Sequence, residues 1–531
     1  MAIVQVSRIT NRKGLSENLP QLAGAEFGWV IDQRKLFIGN GTLADGAPAI
    51  GNTEILTQYS DILDVATSYT YKGEHAGYTV QTGPTSGDPV TQTLQAKLDN
   101  FASVLDFGAT GDGVTDDTDA INRALFQLFC RQTNTTIRRS LYFPGGTYRI
   151  TQPILVPPYA KLFGDGPDSA ILEMDVGSDS SFGAYVIQTA DSLQQTGVNI
   201  GSNGATAPRD IVISGMSFTS LEAGVDMMLV DRADGVSVDN CNFKGNLSTN
   251  PANASANIAG VHFDSTTANT CKQIEFNSCK FSFLTYGINT DENIQGVTVQ
   301  NSQFTNMYQG VMLGTGTPDN GGPEGVRIVQ NLFDKVGKQG ISIGAVSLNV
   351  SAYNIFLDVG NDYLGAGNQS SPIIEFNGDN NVSVGDMFER SDADDRTQPR
   401  VKNNDKACYA LTNGDEIEIG TYHRLAGKTV ILAVQGSATT IFTVNTANAS
   451  AFNIDYQYKI PTTKVIRFGS IRVVGQDTDD SSGTLVYVDN FSEDNPSDIV
   501  LSVVQSGTSI NVQYTNTIAG VFKYSLEHLS I

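Results

Sequence analysis

The chain has 531 residues, with 33 Lys and Arg against 56 Asp and Glu, and its formal net charge is −23. This balance argues against binding to nucleic acid or to an anionic membrane surface, both of which require a basic face, but it does not exclude a neutral glycan. No run of apolar residues is long enough to span a membrane, and the first 14 residues lack the apolar core of a signal peptide.

Residues 1–60 are predicted to form a separate small β-module. From Asn18 to Gly46, apolar and polar residues alternate on either side of IDQRK, which is typical of a β-hairpin. The module resembles the N-terminal module of phage tropism-determinant and tail-fibre proteins. The matching residues are Leu19, Pro20, Leu22, Gly24, Glu26, Asp32, Lys35, Leu36, Phe37, Ile38, Gly39 and Gly41. The resemblance implies a trimeric module that docks to a virion; the alternative is a β-module without a docking role.

Residues 61–98 are polar and rich in turn-forming residues, which favours an extended connector. A Gly-rich turn and a helix follow between Phe101 and Phe129. Thr115 or Asp116 is predicted to cap the N-terminus of this helix. Its apolar face is formed by Ala120, Ile121, Ala124, Leu125 and Leu128. We expect the helix to cover the open end of the structure that follows.

The same segment carries a motif. Its residues are Asp106, Gly108, Ala109, Gly111, Asp112, Gly113, Asp116, Asp117 and Thr118, followed by Phe143, Pro144, Gly146 and Tyr148. They closely resemble the N-terminal motif of the pectate-lyase-like β-helix family that is common in bacteriophage tailspikes. The resemblance implies a right-handed parallel β-helix but no particular chemistry, because that family includes lyases, hydrolases and inert binders. Calcium binding by the aspartates is an alternative to capping, but no EF-hand-type loop is present.

An eight-residue pattern recurs from about residue 211: apolar, any, apolar, any, small or amide, any, any, Phe. The copies are IVISGMSF (211–218), VSVDNCNF (236–243), IEFNSCKF (274–281), VTVQNSQF (297–304) and VRIVQNLF (326–333). Each copy is followed by a short piece that begins with Gly: GVDM (224–227), GVHF (260–263), GINT (287–290), GVML (310–313) and GISI (340–343). The phenylalanines are 25, 38, 23 and 29 residues apart.

This repeat predicts a stack of coils. Alternation with a period of two indicates a strand with one buried face, and such a small unit cannot bury that face alone. A repeat of this length with two or three short strands matches one coil of a parallel β-helix. We therefore predict an all-β chain with a single-stranded β-helix and its cap over 99–400. The phenylalanines of the five copies should form one column; the alternative is a β-sandwich with chance similarity.

Residues 405–531 change pattern again. Short strands separated by polar turns predict a β-sandwich-like domain: KTVILAV, TTIFTV, KVIRFGSIRVV, GTLVYV, DIVLSVV and SINVQYT. A trimer lock, a glycan-binding module and a terminal cap are the roles left open.

The first candidate site lies on the first strand of the coils. Asp239 and Glu275 are predicted on neighbouring coils with an offset of two residues, so that their Cα atoms are about 8 Å apart. This separation suits the acid and base of an inverting glycosidase, whose carboxyl groups are about 6.5–9.5 Å apart. The alternative is a pair of solvated surface acids on an acidic protein.

The second candidate site lies on the strand after each Gly. Asp226 and His262 are predicted as outward neighbours there, and Asp226 could orient His262 as a base. Asp264 and Asp291 follow two positions on, about one coil apart, which suits a retaining glycosidase pair. Nearby aromatic rings that could stack on sugars are Tyr286 and Tyr308. Solvated acids and ordinary turn residues are the alternatives.

Cysteine and histidine usage predicts neither a metal site nor a cofactor. Five cysteines without a C-x-x-C pair and four histidines favour neither zinc nor a disulfide framework. Cys241 and Cys279 occupy equivalent positions of consecutive copies, so that a disulfide fits by distance, but stacked thiols are favoured in a chain that folds in a reducing cytoplasm. Sequence motifs for nucleotide hydrolysis, zinc proteolysis and α/β-hydrolase chemistry are missing.

The resemblances together imply a bacteriophage spike. It would be a homotrimer made in the host bacterial cytoplasm, attached through residues 1–60 to tail, baseplate or collar proteins, and directed at a host surface polysaccharide. An adhesin without catalysis is favoured, because only the insertions 244–259 and 314–324 are long enough to wall a deep cleft. The alternative is a polysaccharide depolymerase, a glycosidase or a lyase, acting on capsule or O-antigen; a secreted bacterial lyase is disfavoured.

Overall fold

The protein is described here by a computed structural model. The described residues are 12–47, 50–59, 81–85, 87–130, 138–175, 184–190, 208–247, 258–265, 270–290, 292–314, 322–344, 348–360, 371–378, 380–388, 400–403, 409–411, 416–419, 422–445, 451–475, 485–507 and 509–529. The chain divides into two compact units, Met1–Phe101 and Ala102–Ile531. The fold class is as predicted: a mostly β chain with a right-handed parallel β-helix and a small cap helix.

The first unit is built on a four-stranded sheet. Its strands, in order across the sheet, are Arg12–Gly14, Phe27–Val30, Lys35–Gly39 and Asn52–Ile55. The predicted hairpin is confirmed, since Val30 pairs with Lys35 in an antiparallel register. The unit also has two 3-10 turns, Ser16–Asn18 and Leu43–Asp45, and an α-helix, Leu94–Leu98, which is too short for its period to show in the sequence. Residues 61–80 of the predicted connector lie outside the described residues.

The second unit begins with three parallel sheets, which we name sheets 1, 2 and 3 in the order in which each coil visits them. Sheet 1 contains Ala102–Ser103, Leu141–Phe143, Lys161–Gly164, Arg209–Ser214, Asp234–Asp239, Cys271–Asn277, Ile294–Gln295, Thr298–Gln300, Arg327–Val329, Val350–Ala352, Val382–Val384 and Tyr409–Leu411. Sheet 2 contains Asp112–Asp116, Gly146–Ile150, Ala170–Met174, Ser217–Ser220, Asn242–Lys244, Lys280–Ser282, Gln303–Met307, Leu332–Val336, Ile355–Val359 and Met387–Phe388. Sheet 3 contains Ile154–Val156, Tyr185–Thr189, Asp226–Asp231, Ala259–Asp264, Tyr286–Thr290, Gln309–Leu313, Ile341–Ile343, Ile374–Phe376, Val401–Asn403 and Glu416–Ile419.

The predicted phenylalanine column is confirmed. Phe218, Phe243, Phe281, Phe304 and Phe333 stack with near-parallel rings whose centroids are 5.3, 4.9, 4.6 and 4.7 Å apart. The column continues through Phe356 and Phe388, with spacings of 4.8 and 5.1 Å. Because parallel strands lie about 4.8 Å apart, one ring per coil fills the interior without a gap.

The corner between sheets 1 and 2 is uniform in the described coils from Arg209 onward. It has two residues, of which the first has a left-handed backbone: Gly215, Asn240, Ser278, Asn301, Gln330, Tyr353 and Gly385. The second residue is buried: Met216, Cys241, Cys279, Ser302, Asn331, Asn354 and Asp386. Cys241 and Cys279 are free thiols, and burial raises the pKa of Cys279 to about 12.

The second corner residues form a buried column, and its polar members, from Ser302 to Asp386, are joined by hydrogen bonds from coil to coil. The Asn331 side chain accepts from the Ser302 N–H at 2.8 Å, and the Asn354 side chain accepts from the Asn331 N–H at 2.9 Å. Asp386 accepts from the hydroxyls of Ser351 and Ser383, both at 2.7 Å, and from the Asn354 N–H at 2.9 Å. These bonds satisfy polar groups that would otherwise destabilise the interior.

The cap helix is present, but its N-terminus was predicted wrongly. The helix is Thr118–Leu125, extended by a π-helical turn, Phe126–Cys130, and its N-cap is Asp117 instead of Thr115 or Asp116. The reason is that Asp112–Asp116 forms a strand paired with Gly146–Ile150. The Asp116 side chain still accepts from the Thr118 N–H, at 3.0 Å. The predicted apolar face packs into the core of the first coils, with Leu128 partly buried.

Hydrogen bonds hold the other aspartates of the cap. Asp117 accepts from the N–H groups of Thr110 and Gly111 at 2.7 and 3.0 Å, which closes the Gly-rich turn. Asp112 accepts from the Thr115 N–H at 2.7 Å. Backbone hydrogen bonds to the Asp112 carboxylate lower its pKa to about 2. Within the described residues, no group of three His, Cys, Asp or Glu side chains is placed to hold a metal ion.

Parallel pairing continues past residue 400, the predicted end of the β-helix, as far as Glu416–Ile419, and sheet 3 then becomes antiparallel. The antiparallel part contains, in order, Tyr422–Leu432, Gly520–Leu529, Ala451–Lys459, Ile466–Val474 and Val486–Glu493. A second sheet contains Gln435–Asn445, Ser509–Asn516 and Val500–Ser506. The core of this sandwich is separate from that of the β-helix.

Candidate functional site

From the strand Tyr185–Thr189 onward, the long connections of the β-helix all flank sheet 3. In the coils from Arg209 onward, sheets 1 and 2 are joined by the uniform two-residue corner. Long connections lead into sheet 3 at 245–258, 360–373 and 389–400, and they leave it at 190–208 and 314–326. Functional residues are found disproportionately on loops that a rigid scaffold positions. Sheet 3 is therefore the face whose surroundings vary most from coil to coil.

The first candidate pair, Asp239 and Glu275, lies on sheet 1. Its predicted offset is confirmed, since Asp239 pairs with Asn277 and Ser237 pairs with Glu275. Both carboxylates are half-buried and each accepts a hydrogen bond from the next coil. The donors are the side-chain amides of Asn277, at 2.6 Å from Asp239, and Gln300, at 2.7 Å from Glu275. These bonds tie the two acids into a ladder along a sheet whose corner with sheet 2 carries no long insertion.

On sheet 3, the predicted pairing of Asp226 with His262 is wrong. Leu229 is the neighbour of His262, and the Asp226 carboxylate instead accepts from the Ala259 N–H at 2.6 Å. Asp226 is thus three residues out of step with His262, which separates their Cα atoms by about 11 Å. The cause is Gly224, which has a φ of +77° and lies in a turn, whereas Gly260, Gly287 and Gly310 lie within strands.

Asp231 is a neighbour of Asp264 that the sequence analysis did not name. Asp231 and Asp264 are directly paired on adjacent coils, so their Cα atoms are about 5 Å apart. Asp231 is only 2% exposed and holds Arg232 through two bonds, of 2.5 and 3.1 Å, while Asp264 is exposed. Burial raises the pKa of Asp231 although Arg232 opposes the shift. Asp291 itself lies outside the described residues.

Asp226 is a half-buried acid at the start of its strand in sheet 3. Burial raises its pKa to about 7, against the hydrogen bond from Ala259. Tyr185 is its in-register neighbour on the preceding coil, and burial together with the charge of Asp226 raises the pKa of that phenol. A carboxyl group that is protonated near neutral pH can donate a proton to a leaving group.

Further along sheet 3, side-chain amides form a buried chain. The Gln309 amide donates to Gln339 at 2.6 Å, and the Gln339 amide donates to Glu375, also at 2.6 Å. Gln309 and Gln339 are 3% and 6% exposed. Tyr286 is the in-register neighbour of Gln309, so that an aromatic ring and an amide chain adjoin.

Two more polar groups border this chain. Asn289, the neighbour of His262, has a buried side-chain oxygen without a hydrogen-bond partner. Tyr308 lies at the corner before Gln309, with the Lys338 ammonium 6.0 Å from its ring centre. Of the predicted ligand-binding residues, His262 and Tyr286 thus lie on adjacent coils of sheet 3 with Tyr308 beside them, while Asp226 lies one coil earlier.

The sequence prediction missed Asp231, Tyr185 and the amide chain. Asp231 could have been found by aligning the strand on its apolar alternation, Met228 and Val230, instead of on Gly224. The amide chain joins three coils through turns of unequal length, and no local pattern reveals it. None of the helices in the described part of the chain is long and apolar enough to cross a bilayer.

Comparison with known proteins gives one family match. The model described as "Rhamnogalacturonase A/epimerase, pectate lyase-like" matches residues 101–320, which agrees with a parallel β-helix in this part of the chain. A glucan 1,3-beta-glucosidase from Cochliobolus carbonum is 33% identical over 147 residues, and a probable glucan endo-1,3-beta-glucosidase from Arthroderma benhamiae is 34% identical over 103 residues. The matches cover 26% and 19% of this chain, but only 17% and 11% of those relatives.

Solved structures with similar folds include a phage protein and a bacterial adhesin. The tailspike protein of Acinetobacter baumannii phage AM24 is 12% identical with a TM-score of 0.41, covering 94% of this chain and 92% of its own. PfbA, a surface adhesin of Streptococcus pneumoniae, is 15% identical with a TM-score of 0.38, covering 63% of this chain and 97% of its own. The family model thus matches the segment that contains the cap and the earlier coils of the β-helix.

Proposed function

We propose that this chain is a subunit of a bacteriophage spike that binds a host surface polysaccharide along sheet 3. The observation that carries the binding site is the placement of the long connections from Tyr185–Thr189 onward, all of which flank this sheet. Between them lie half-buried groups suited to sugars: an aromatic ring at Tyr286, the imidazole of His262 and the carboxylate of Glu375, which the Gln339 amide holds in place. Sugar-binding sites combine aromatic faces with a few placed polar groups, because a sugar presents both apolar faces and hydroxyls.

The viral part of the proposal is supported by the two sequence resemblances. Residues 1–60 resemble phage attachment modules, and the cap motif resembles that of phage tailspikes. We therefore place the protein in the virion tail, baseplate or collar, as a homotrimer that contacts other virion proteins through residues 1–60.

Depolymerisation of the bound polysaccharide is the second candidate function. The raised pKa of Asp226 favours it, because a glycosidase requires a carboxyl group that stays protonated near neutral pH. Asp264 is not its carboxylate partner, because Asp226 lies opposite Ala259 and the Cα atoms of Asp226 and Asp264 are about 17 Å apart, beyond the separation of a glycosidase pair. The carboxylates that are paired on this sheet are those of Asp231 and Asp264. Asp239 with Glu275 on sheet 1 is the alternative pair.

A binding experiment with variants on both sheets tests the site. The purified chain is exposed to an array of bacterial capsular and O-antigen polysaccharides, and the affinity for the polymers that bind is measured. We expect Tyr286→Ala and Glu375→Gln on sheet 3 to weaken binding at least about tenfold, which corresponds to 1.4 kcal/mol. The control is Thr298→Ala on sheet 1, which should retain full affinity. Loss of binding in Thr298→Ala and Glu275→Gln with retention in the sheet 3 variants would place the site on sheet 1.

The same polymers separate adhesion from depolymerisation. After incubation with protein, released oligosaccharides are measured by mass spectrometry. If the chain is an enzyme that uses Asp226, Asp226→Asn should stop release while polymer is still bound. Release that persists in Asp226→Asn and Asp264→Asn but stops in Glu275→Gln would assign catalysis to the other pair, and no release from any bound polymer would leave adhesion alone.

A further inference from the structure

Positive charge is absent from the strands of sheet 3 until the last coils. The described strands from Tyr185–Thr189 to Ile374–Phe376 contain no Lys or Arg, but they contain Asp226, Asp231 and Asp264 and, later, Glu375. The first cation in the sheet is that of Lys402, which is paired in register with Glu375. This stretch of sheet 3 therefore has no cation in its strands, and its exposed carboxylate is that of Asp264, because Asp231 is held by Arg232 and burial raises the pKa of Asp226 to about 7.

The other two sheets show that this absence is local. Sheet 1 carries Lys161, Arg209, Lys272 and Arg327, and sheet 2 carries Arg149, Lys244, Lys280 and Lys335. The coils thus place their cations on the two faces that meet at the uniform corner.

The two cations closest to the sheet along the chain are already in contact with neighbours. Arg232 holds Asp231 in a bond of 2.5 Å. Lys338 lies over the ring of Tyr308 at the corner before Gln309. Sites for carboxylates, phosphates and other anionic groups are built from Arg and Lys, because a fixed cation must replace the water lost on binding. No such group is offered by the described strands of sheet 3 before Lys402.

We infer that sheet 3 takes an uncharged polysaccharide and rejects polymers that carry uronic acid, sialic acid or phosphate groups. The exposed carboxylate of Asp264 is the residue that opposes an anionic sugar most directly. This inference rests on the proposed function, since it specifies the polymer that the same face binds. The repulsion between two like unit charges about 7 Å apart in water lowers the affinity about threefold, and the loss is larger where water is excluded.

Chemical oxidation of one bound polymer tests the charge rule, by which we mean the preference of sheet 3 for uncharged over anionic polysaccharides. The primary hydroxyl groups of a polymer bound in the array are partly oxidised to carboxylates, and both forms are measured with the same protein. At about 0.01 M salt we expect the oxidised form to bind at least tenfold more weakly, and at about 1 M salt, where the Debye length is about 3 Å, most of this loss should disappear.

The outcomes separate this inference from the proposed function. Binding of acidic polymers, or equal binding of both forms at low salt, overturns the charge rule and leaves polysaccharide binding intact. Failure to bind any polymer in the array contradicts both.

A matched pair of variants locates the effect. Asp264→Asn should lower the preference for the neutral over the oxidised form about threefold at low salt. Asp234→Asn removes the same charge from an exposed position on sheet 1 and should leave this preference unchanged. Equal effects of the two variants would show that the overall charge of the chain, and not sheet 3, decides the selectivity.

Discussion

The phenylalanine column explains why glycine is required at particular positions. A Cβ at Gly260, Gly287, Gly310 or Gly340 would lie 2.5–2.8 Å from an atom of the phenylalanine ring on the next coil. These glycines therefore leave room for Phe281, Phe304, Phe333 and Phe356, which explains the Gly after the last four copies of the eight-residue pattern. Gly224 differs, because its role is a positive φ and no atom lies within 4 Å of its Cβ position.

This packing predicts a cost for Gly310→Ala. The added methyl group would lie 2.7 Å from the Phe333 ring and 2.4 Å from the carbonyl oxygen of Gly340. We expect a loss of about 1–3 kcal/mol in the free energy of unfolding, measured by urea denaturation. Gly436→Ala is the control, since nothing lies within 4 Å of its Cβ position. Equal stability of the two variants would contradict tight packing at this corner.

Asp226 predicts a dependence of stability on pH. Its pKa rises from 3.8 to about 7 on folding, so between these values the folded state binds more protons than the unfolded state. Its contribution to stability is complete below about pH 4 and is lost as the pH rises through 7, by at most about 1.4 kcal/mol per pH unit.

The difference between wild type and Asp226→Asn isolates this contribution from those of other carboxyl groups. From pH 4 to 7, the free energy of unfolding of wild type should fall relative to that of the variant. Parallel curves for the two proteins would show that Asp226 ionises normally in the folded chain.

Among the elements, the corner between sheets 1 and 2 is the most constrained. Each corner needs one left-handed residue, and residues other than Gly, Asn and Asp adopt this conformation at a cost. Asn240 and Asn301 suit the position, whereas Gln330, with a φ of +58°, does not. The corner repeats because the strands on both sides must stay in register with the coils above and below.

Gln330→Asn should therefore stabilise the protein. We expect a gain of about 0.5–1 kcal/mol in the free energy of unfolding, because Asn tolerates the left-handed region better than Gln. Gln303→Asn, in a strand of sheet 2, makes the same chemical change at an extended residue and should not stabilise. A gain of equal size at both positions would mean that corner strain is not the cause.

At the scale of the whole molecule, the sequence predicted those features of the coil that depend on local periodicity. The eight-residue pattern determines which side chains point inward, so the Phe218 to Phe333 column and the Asp239–Glu275 offset could be predicted. The register of sheet 3 depends on turns of unequal length, and there the alignment on Gly224 misplaced Asp226 by three residues. The N-cap was missed because pairing of Asp112–Asp116 with the next coil overrides local helix signals.

The proposed homotrimer predicts the mass of the assembly in solution. If the chain forms the proposed homotrimer, sedimentation equilibrium should give three times the chain mass of 56.7 kDa. A mass that stays at one chain over the accessible concentration range would contradict a trimeric spike and leave only the single-chain binding site.

Hydrogen exchange shows directly whether a bound polysaccharide lies along sheet 3. Amide exchange is measured by mass spectrometry on the full chain, with and without a polysaccharide that binds in the array. We expect added protection in peptides that span Asp226–Asp231, Ala259–Asp264, Tyr286–Thr290 and Gln309–Leu313. Protection centred instead on Asp234–Asp239 and Cys271–Asn277 of sheet 1, with sheet 3 unchanged, would contradict binding along sheet 3.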